Sequence, residues 1–461
     1  MPIFLVPYFA VSKNYKNSVA LIFSTLFYAW GAPTFIVLVF VSLIIDLYIV
    51  KLLFKLPDKK KLLLVLSVIL NIGMLAYFKY ANFMVENFNI ITESLGGNSV
   101  KWTEVILPIG ISFFTFQKLS YSIDIYRGTS KPLQKFVDYA MYIMLFPQLI
   151  AGPIVRYNEI AHQIIDRSKT ETNEKRLAGF YRFIIGLAKK VLIANSLGIV
   201  VDEIFAIDPF LLSTEITWIG IVAYSFQIYY DFSGYSDMAI GIGKMIGFDF
   251  PENFNNPYVS RNITEFWRRW HMTLSRWMKD YLYIPLGGSR VNSKARLFFN
   301  LWIVFFLSGL WHGAAWNFVV WGIFHGVFLI LDRLFLIKFT KKIGKYPSII
   351  ITYVITLIGW AIFRAESLEY GVDYIKRMFE FVNTDTFIYL SNKFWFYLII
   401  GSVFAFITIF KFSEKLENWF FYKNHNRYEI IPMTLIVLAL LFISASHISL
   451  GGFNPFIYFR F

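Results

Sequence analysis

The chain contains no cysteine. Disulfides, thiolate zinc sites, iron–sulfur clusters and a cysteine nucleophile are therefore excluded, and the redox compartment is left open. Charge is scarce as well: Asp, Glu, Lys and Arg make up 16% of the residues, against about 25% in soluble domains. No G-x-S-x-G elbow, P-loop or H-E-x-x-H occurs, which removes three common catalytic signatures. Gly241-Ile242-Gly243-Lys244-Met245-Ile246-Gly247 has the wrong spacing for a dinucleotide fingerprint, and no βαβ pattern surrounds it. Met1-Pro2-Ile3 lacks a basic n-region, and no small-residue cleavage site follows the first apolar stretch. Insertion is therefore expected to rely on membrane helices rather than on a cleaved signal.

What is present is oily. Hydrophobic residues reach 57% and aromatics 20%, with 51 Phe and 13 Trp in 461 residues. That composition leaves too little polar surface for a soluble globule and too much apolar mass for a disordered chain. Apolar runs of roughly 17–25 residues, the length that spans a bilayer, lie near 18–50 (one or two segments), 62–84, 105–122, 183–203 and 210–230. Others lie near 297–337 (two segments), 347–363, 394–410 and 430–448. A further run, 139–155, is interrupted by Pro147, Gly152 and Pro153. Such breaks at membrane depth occur only where protein or a cavity surrounds them, so this run is expected to be re-entrant. No fixed-period repeat or low-complexity linker divides the chain. The expectation is an all-α integral membrane protein, one polytopic domain over residues 1–461.

The excess of 44 Lys+Arg over 30 Asp+Glu, a formal charge of +14, sets orientation through the positive-inside rule. Lys51, Lys55, Lys59, Lys60 and Lys61 form one cluster. Lys338, Lys341, Lys342 and Lys345 form a second, and Lys411, Lys415, Lys423 and Arg427 a third. All three are read as cytoplasmic. The acid-bearing loops 85–104 and 202–208 are read as external, the segments from 346 onward place the C-terminus outside, and the side of the N-terminus stays open.

The densest positive charge falls in 261–296. At 3.6 residues per turn, Trp267, Trp270, His271, Leu274, Trp277, Met278 and Tyr281 share one helix face. Arg268, Arg269, Arg276 and Lys279 share the opposite one. This is the pattern of an interfacial amphipathic helix against anionic lipid, ended by a turn at Pro285, Gly287 and Gly288. The bland account is a membrane anchor. The sharper one is that these four cations also attract the phosphates of a donor such as coenzyme A or a phosphopantetheine carrier. No nucleic-acid-binding signature accompanies them.

Of six histidines, His162 and His425 lie in hydrophilic loops, and His447 sits beside Ser444 and Ser446 near a helix end. His271, His312 and His325 lie in apolar surroundings, where an ionisable group is a functional candidate by default. The alternative for each is a satisfied interhelical hydrogen bond. His312 stands in Ser308-Gly309-Leu310-Trp311-His312-Gly313-Ala314-Ala315-Trp316-Asn317. The small residues allow close approach of a ligand or of another helix. Trp311 and Trp316 can wall a site, and Asn317 can orient the ring or polarise a carbonyl. Asp231 and Asp237 are read as a cap and hydrogen-bond network in preference to a catalytic pair or metal site. No metal is expected.

At this point the residues resemble a known family. Glu265-Phe266-Trp267-Arg268-Arg269-Trp270-His271-Met272-Thr273-Leu274-Ser275, followed by Tyr281-Leu282-Tyr283-Ile284-Pro285-Leu286-Gly287-Gly288, looks like the signature of membrane-bound O-acyltransferases (MBOAT). Ser308-Gly309-Leu310-Trp311-His312-Gly313 looks like that family's second histidine motif. Leu107-Pro108-Ile109-Gly110-Ile111-Ser112-Phe113-Phe114, Pro147-Gln148-Leu149-Ile150-Ala151-Gly152-Pro153, Tyr230-Asp231-Phe232-Ser233-Gly234-Tyr235-Ser236-Asp237, Phe363-Arg364-Ala365 and Phe456-Ile457-Tyr458-Phe459-Arg460-Phe461 resemble the bacterial alginate O-acetyltransferase branch. The N-terminus is shorter than is usual there.

The resemblance implies a multi-span bundle with re-entrant and interfacial helices around a central tunnel. It also implies a catalytic His312, an assisting or tunnel-lining His271, and Trp267, Trp270, Trp311, Trp316 and Asn317 beside the substrate path. It implies no bound cofactor, a cytoplasmic acetyl-CoA or acyl carrier thioester as donor, and an acceptor hydroxyl arriving from outside, often on an exported acetyltransferase partner protein. The expected chemistry has His312 taking the acceptor proton, with Gly313 N–H or the Asn317 amide stabilising the oxyanion. A D-alanyl transferase acting on teichoic acid, a proton-relaying transporter and an envelope scaffold are the competing readings.

Overall fold

The computed structural model describes residues 1–410, 412–417, 427–451 and 455–457. Lys411, Lys423, His425 and Tyr458-Phe459-Arg460-Phe461 lie outside the described residues. The described residues are helical, with no strand among them. Among the described residues, eight helices are long and apolar enough to cross a membrane: Pro33–Lys55, Pro57–Ser94, Asn173–Phe205, Lys294–His312, Trp316–Ile343, Lys345–Arg364, Asn392–Ile409 and Tyr428–Leu450. The chain is an integral membrane protein. It groups into two compact units, residues 1–175 with 246–250, and residues 176–245 with 251–461.

In the first unit the apolar run 18–50 resolves into two helices, Lys16–Gly31 and Ile36–Lys55, because Pro33 opens a turn between them. The run 105–122 begins its helix only at Ile111, after Pro108 and a left-handed Gly110. A Cβ on Gly110 would lie 2.7 Å from the Leu149 carbonyl oxygen. Helix Ile111–Arg127 buries Thr115, Gln117, Lys118, Ser120, Ser122 and Asp124, and the run expected to span near 105–122 is not among the eight membrane-length apolar helices. Over 139–155 the chain forms Phe136–Met144 and one turn, Phe146–Leu149, then leaves helix until Tyr157, and nearly every residue is buried.

In the second unit a 32-residue helix, Thr214–Met245, is buried along most of its length. It lies against Asn173–Ala188 through a glycine ladder. A Cβ on Gly186 would sit 2.5 Å from Gly234 O, and one on Gly179 would sit 2.5 Å from Gly241 O. The backbones therefore approach to a distance that only glycine allows. This accounts for Gly234 and Gly241. Asp231 and Asp237 cap nothing, since the helix continues through both. Each is instead paired with cations of the neighbouring helix. Asp237 meets Arg182 and Lys189 at 2.6 Å, and Asp231 meets Lys190 at 2.5 Å. Asp231 also accepts the backbone N–H of Ile457 at 2.8 Å, holding the chain's last described residues.

The apolar stretch 297–337 forms a tight hairpin, Lys294–His312 and Trp316–Leu331. Gly309 and Gly322 face each other at the crossing, where a Cβ on Gly322 would lie 2.5 Å from Phe305 O.

Candidate active site

The hairpin places His312. Its first helix ends on that residue because Gly313 is extended. A Cβ on Gly313 would lie 2.1 Å from Phe318 Cδ2, so glycine is required here by packing. The His312 ring is buried with its neighbours edge-on: Trp311 at 4.9 Å, Trp321 at 5.0 Å and Phe363 at 5.4 Å between centroids.

The basic stretch corrects the expectation of one continuous amphipathic helix. It is two short helices, Ile263–Arg269 and Met272–Met278, broken at Trp270–His271. His271 adopts a left-handed conformation, φ 44° and ψ 53°. Backbone bonds hold both sides of the break: Asn255 N–H donates to Arg269 O at 2.9 Å, and Met272 N–H donates to Asn253 O at 2.8 Å. The two-faced pattern survives the break. The aromatic face is buried, while Arg268 and Lys279 are exposed. Gly287 and Gly288, both at positive φ, form the closing turn.

His271 is 1% exposed. Its Nδ1 lies 2.9 Å from Asn253 Oδ1, an oxygen that also accepts from Thr273 Oγ1 at 2.8 Å. The ring nitrogen is therefore the donor, and Nε2 carries the lone pair. That Nε2 is buried with no hydrogen-bond partner among the described residues. Burial pushes the imidazole down to about 3, so it stays neutral. Trp311 lies against both histidine rings, 6.2 Å from His271 and 4.9 Å from His312.

The third internal histidine continues the row. Trp321 separates His312 from His325, at 5.0 and 4.9 Å. His325 Nδ1 accepts from Trp267 Nε1 at 3.4 Å, and a Cβ on Gly359 would lie 2.8 Å from His325 Nε2. His325 thus has the interhelical bond that its burial demands. His447 is likewise engaged, with Ile443 O at 3.1 Å and the Tyr397 hydroxyl at 3.3 Å. His162 is exposed.

The remaining candidates divide. Trp267 and Trp311 contact the histidine row directly. Trp270 lies one layer back, on Trp360 at 4.8 Å and Phe254 at 5.0 Å. Trp316 is 53% exposed at a helix start. Asn317 donates to Ala365 O at 2.8 Å, and Gly313 N–H points to Gly309 O at 3.4 Å. Both expected oxyanion donors are therefore engaged with backbone. Of the four cations, Arg269 pairs with Glu265 at 3.0 Å and Arg276 donates to Glu252 O at 3.1 Å. Arg268 and Lys279 point outward.

Sequence reasoning missed Asn253, Trp321 and Phe363. Asn253 lies in Asn253-Phe254-Asn255-Asn256-Pro257, a polar turn before proline whose only signal is that a buried histidine needs an Nδ1 partner.

Residues 132–372 match the MBOAT, membrane-bound O-acyltransferase family. Over 386 residues the chain is 42% identical to a protein named probable alginate O-acetylase AlgI from Pseudomonas aeruginosa, covering 83% of this chain and 73% of that one. A protein of the same name from Pseudomonas putida is 37% identical over 486 residues, covering 100% of this chain and 98% of its own length. A peptidoglycan O-acetyltransferase from Helicobacter pylori is 37% identical over 414 residues, covering 82% and 77%. With both histidine motifs brought against one indole, and with that similarity over most of its length, the chain belongs to the membrane-bound O-acyltransferase family.

Proposed function

We propose that this O-acyltransferase moves an acetyl group from a cytoplasmic thioester, acetyl-CoA or an acyl carrier protein, across the membrane to a hydroxyl acceptor. The acceptor is an exported partner protein that hands the group to a cell-envelope polysaccharide such as alginate. The names of the relatives support the acetyl group and the polymer class. The observation that carries the reading is the buried Nε2 of His271, without a hydrogen-bond partner among the described residues, together with the Trp311 ring in contact with both His271 and His312.

In this reading the acceptor O–H proton passes to His312 as its oxygen attacks the thioester carbonyl carbon. The tetrahedral adduct then breaks its C–S bond, and the leaving sulfur takes the proton back from His312. His271, held neutral, accepts a hydrogen bond from the bound substrates and keeps the thioester in line. Arg268 and Lys279 draw the donor's phosphates to the surface. Incubating membranes that contain this chain and its exported partner with radiolabelled acetyl-CoA tests the reading. Label on the partner or the glycan is expected, and a folded His312→Ala protein should transfer none. Label arriving only from an acetylated carrier protein would name the carrier as donor. Label from neither source would sink acetyl transfer.

A further inference from the structure

We infer that Asn253 is a positioning residue that fixes the ring tautomer of His271 for acyl transfer. The inference rests on the assignment of His271 and His312 to the transfer site. Asn253 Oδ1 accepts from His271 Nδ1 at 2.9 Å, Thr273 Oγ1 at 2.8 Å and Thr273 N–H at 3.3 Å. Its Nδ2 donates to Ser236 Oγ at 3.0 Å. These contacts settle which way the amide faces. A flipped amide would set N–H groups against the Thr273 backbone N–H, which can only donate. The ring nitrogen facing Oδ1 must then carry the proton, and the lone pair is delivered at Nε2, which has no hydrogen-bond partner among the described residues.

The same residue clamps the main chain. Asn253 O accepts Met272 N–H at 2.8 Å, directly after the left-handed His271. A non-glycine residue in that conformation costs about 1–3 kcal/mol and persists only where its surroundings over-determine it. The segment is itself anchored: Arg182 grips the Glu252 carboxylate with both terminal nitrogens, at 2.9 and 2.6 Å. Asn253, Ser236, Thr273 and His271 are all buried, so water does not compete for the ring's Nδ1–H. The asparagine thus sets backbone, ring orientation and tautomer together, the role that outer-shell partners of functional histidines commonly have.

The test uses the full chain in detergent or nanodiscs with 15N-labelled histidine, alongside turnover per folded molecule. The His271 signal is the one missing from His271→Ala. In the unsubstituted chain it should report the Nδ1–H form. Asn253→Leu should shift it toward Nε2–H and lower kcat about 10–100-fold. Asn253→Asp keeps an oxygen toward the ring, so it should retain the Nδ1–H form and restore most of the turnover. Wild-type tautomer and kcat in Asn253→Leu, or an Nε2–H ring in Asn253→Asp, overturns the inference. If Asn253→Leu does not fold, Asn253→Ala takes its place, removing the same acceptor oxygen with less bulk. A mixed tautomer with reduced kcat is then expected, and no change in either overturns the proposal. His271→Ala separates the two possible failures. Full turnover there sinks the site assignment, whereas lost turnover there with wild-type behaviour in Asn253→Leu sinks this inference alone.

Discussion

Two buried polar clusters, one around Asp46 and one around His271 and His312, are made of similar residue types and end in opposite states. At Asp46 both carboxylate oxygens are satisfied. Ser67 Oγ and Asn71 Nδ2 donate to Oδ1 at 2.8 Å each, and the Tyr139 hydroxyl donates to Oδ2 at 2.6 Å. Lys118, also fully buried, lies within electrostatic reach and donates to Ser42 Oγ at 3.3 Å. Hydrogen bonds tie three helical segments at this one carboxylate, and a fourth brings Lys118 near it. The histidine rings pack against indoles and phenyl rings instead, with Phe232 at 4.7 Å from His271, and His271 Nε2 has no hydrogen-bond partner among the described residues. A buried ionisable group is costly in either place. The contrast lies at the ionisable group itself: three donors meet the Asp46 carboxylate, although Asn71 Oδ1 beside it has no partner, whereas none among the described residues meets His271 Nε2.

The largest expected effect breaks or confirms the second half of that contrast. His312→Ala should lower acetyl transfer about 10²–10⁴-fold, the usual worth of a general base, while the protein still elutes as a single folded species. His271→Ala should cost less, since its role is positioning. Equal losses would place both rings in the proton transfer. Next in size, Asp46→Ala removes one partner from a buried charged cluster and should destabilise by about 3–5 kcal/mol, read as a lower melting temperature in detergent. Turnover per folded molecule should be unchanged, and Asp46→Asn, which keeps one acceptor oxygen, should cost less. A stable but inactive Asp46→Ala protein would erase the distinction between the two clusters.

His271 also carries a pH signature. Burial lowers its folded value to about 3, against about 6.5 when unfolded. Between those values the unfolded chain holds a proton that the folded chain lacks, so stability falls as pH drops through that window, by at most about 1.4 kcal/mol per unit. His271→Gln should flatten the slope measured by chemical denaturation. A comparable cost, about 1–3 kcal/mol from overpacking, is expected for Gly234→Ala. Its Cβ would meet Gly186 O at about the 2.7 Å now open to it. This change should move stability and leave kcat alone.

Much of this was legible in the sequence for a physical reason. Lipid-facing helices must be apolar, so Tyr428–Leu450 and Pro33–Lys55 declared themselves by composition. Helix Ile111–Arg127 is sheathed by protein and tolerates Gln117, Lys118 and Asp124, and Thr214–Met245 runs on past its apolar start through Asp231 and Asp237, so the runs near 105–122 and 210–230 that the sequence offered as spans are not among the eight. The histidines 271 and 312 could be singled out because charge at membrane depth needs a reason. The break at His271 could not, since residues 263–278 keep an amphipathic period across it. What imposes the break is bonding to Asn253 and Asn255, 18 and 14 residues upstream of the groups they hold.

The smallest expected effect applies the opening contrast to the basic surface. Arg269 and Arg276 share a sequence pattern with Arg268 and Lys279, but the first two are bonded to Glu265 and Glu252 O and the second two are exposed. Replacing either bonded arginine by alanine should cost roughly 0.5–1.5 kcal/mol of stability through its lost hydrogen bonds. Replacing Arg268 and Lys279 together should stay within about 0.5 kcal/mol and raise the donor KM a few-fold at low salt. The KM difference should shrink as ionic strength rises and the Debye length contracts to roughly 8 Å near 0.15 M. A donor KM that is indifferent to both substitutions at low salt would assign this face to lipid headgroups alone. The phosphates of the donor would then have to be met elsewhere.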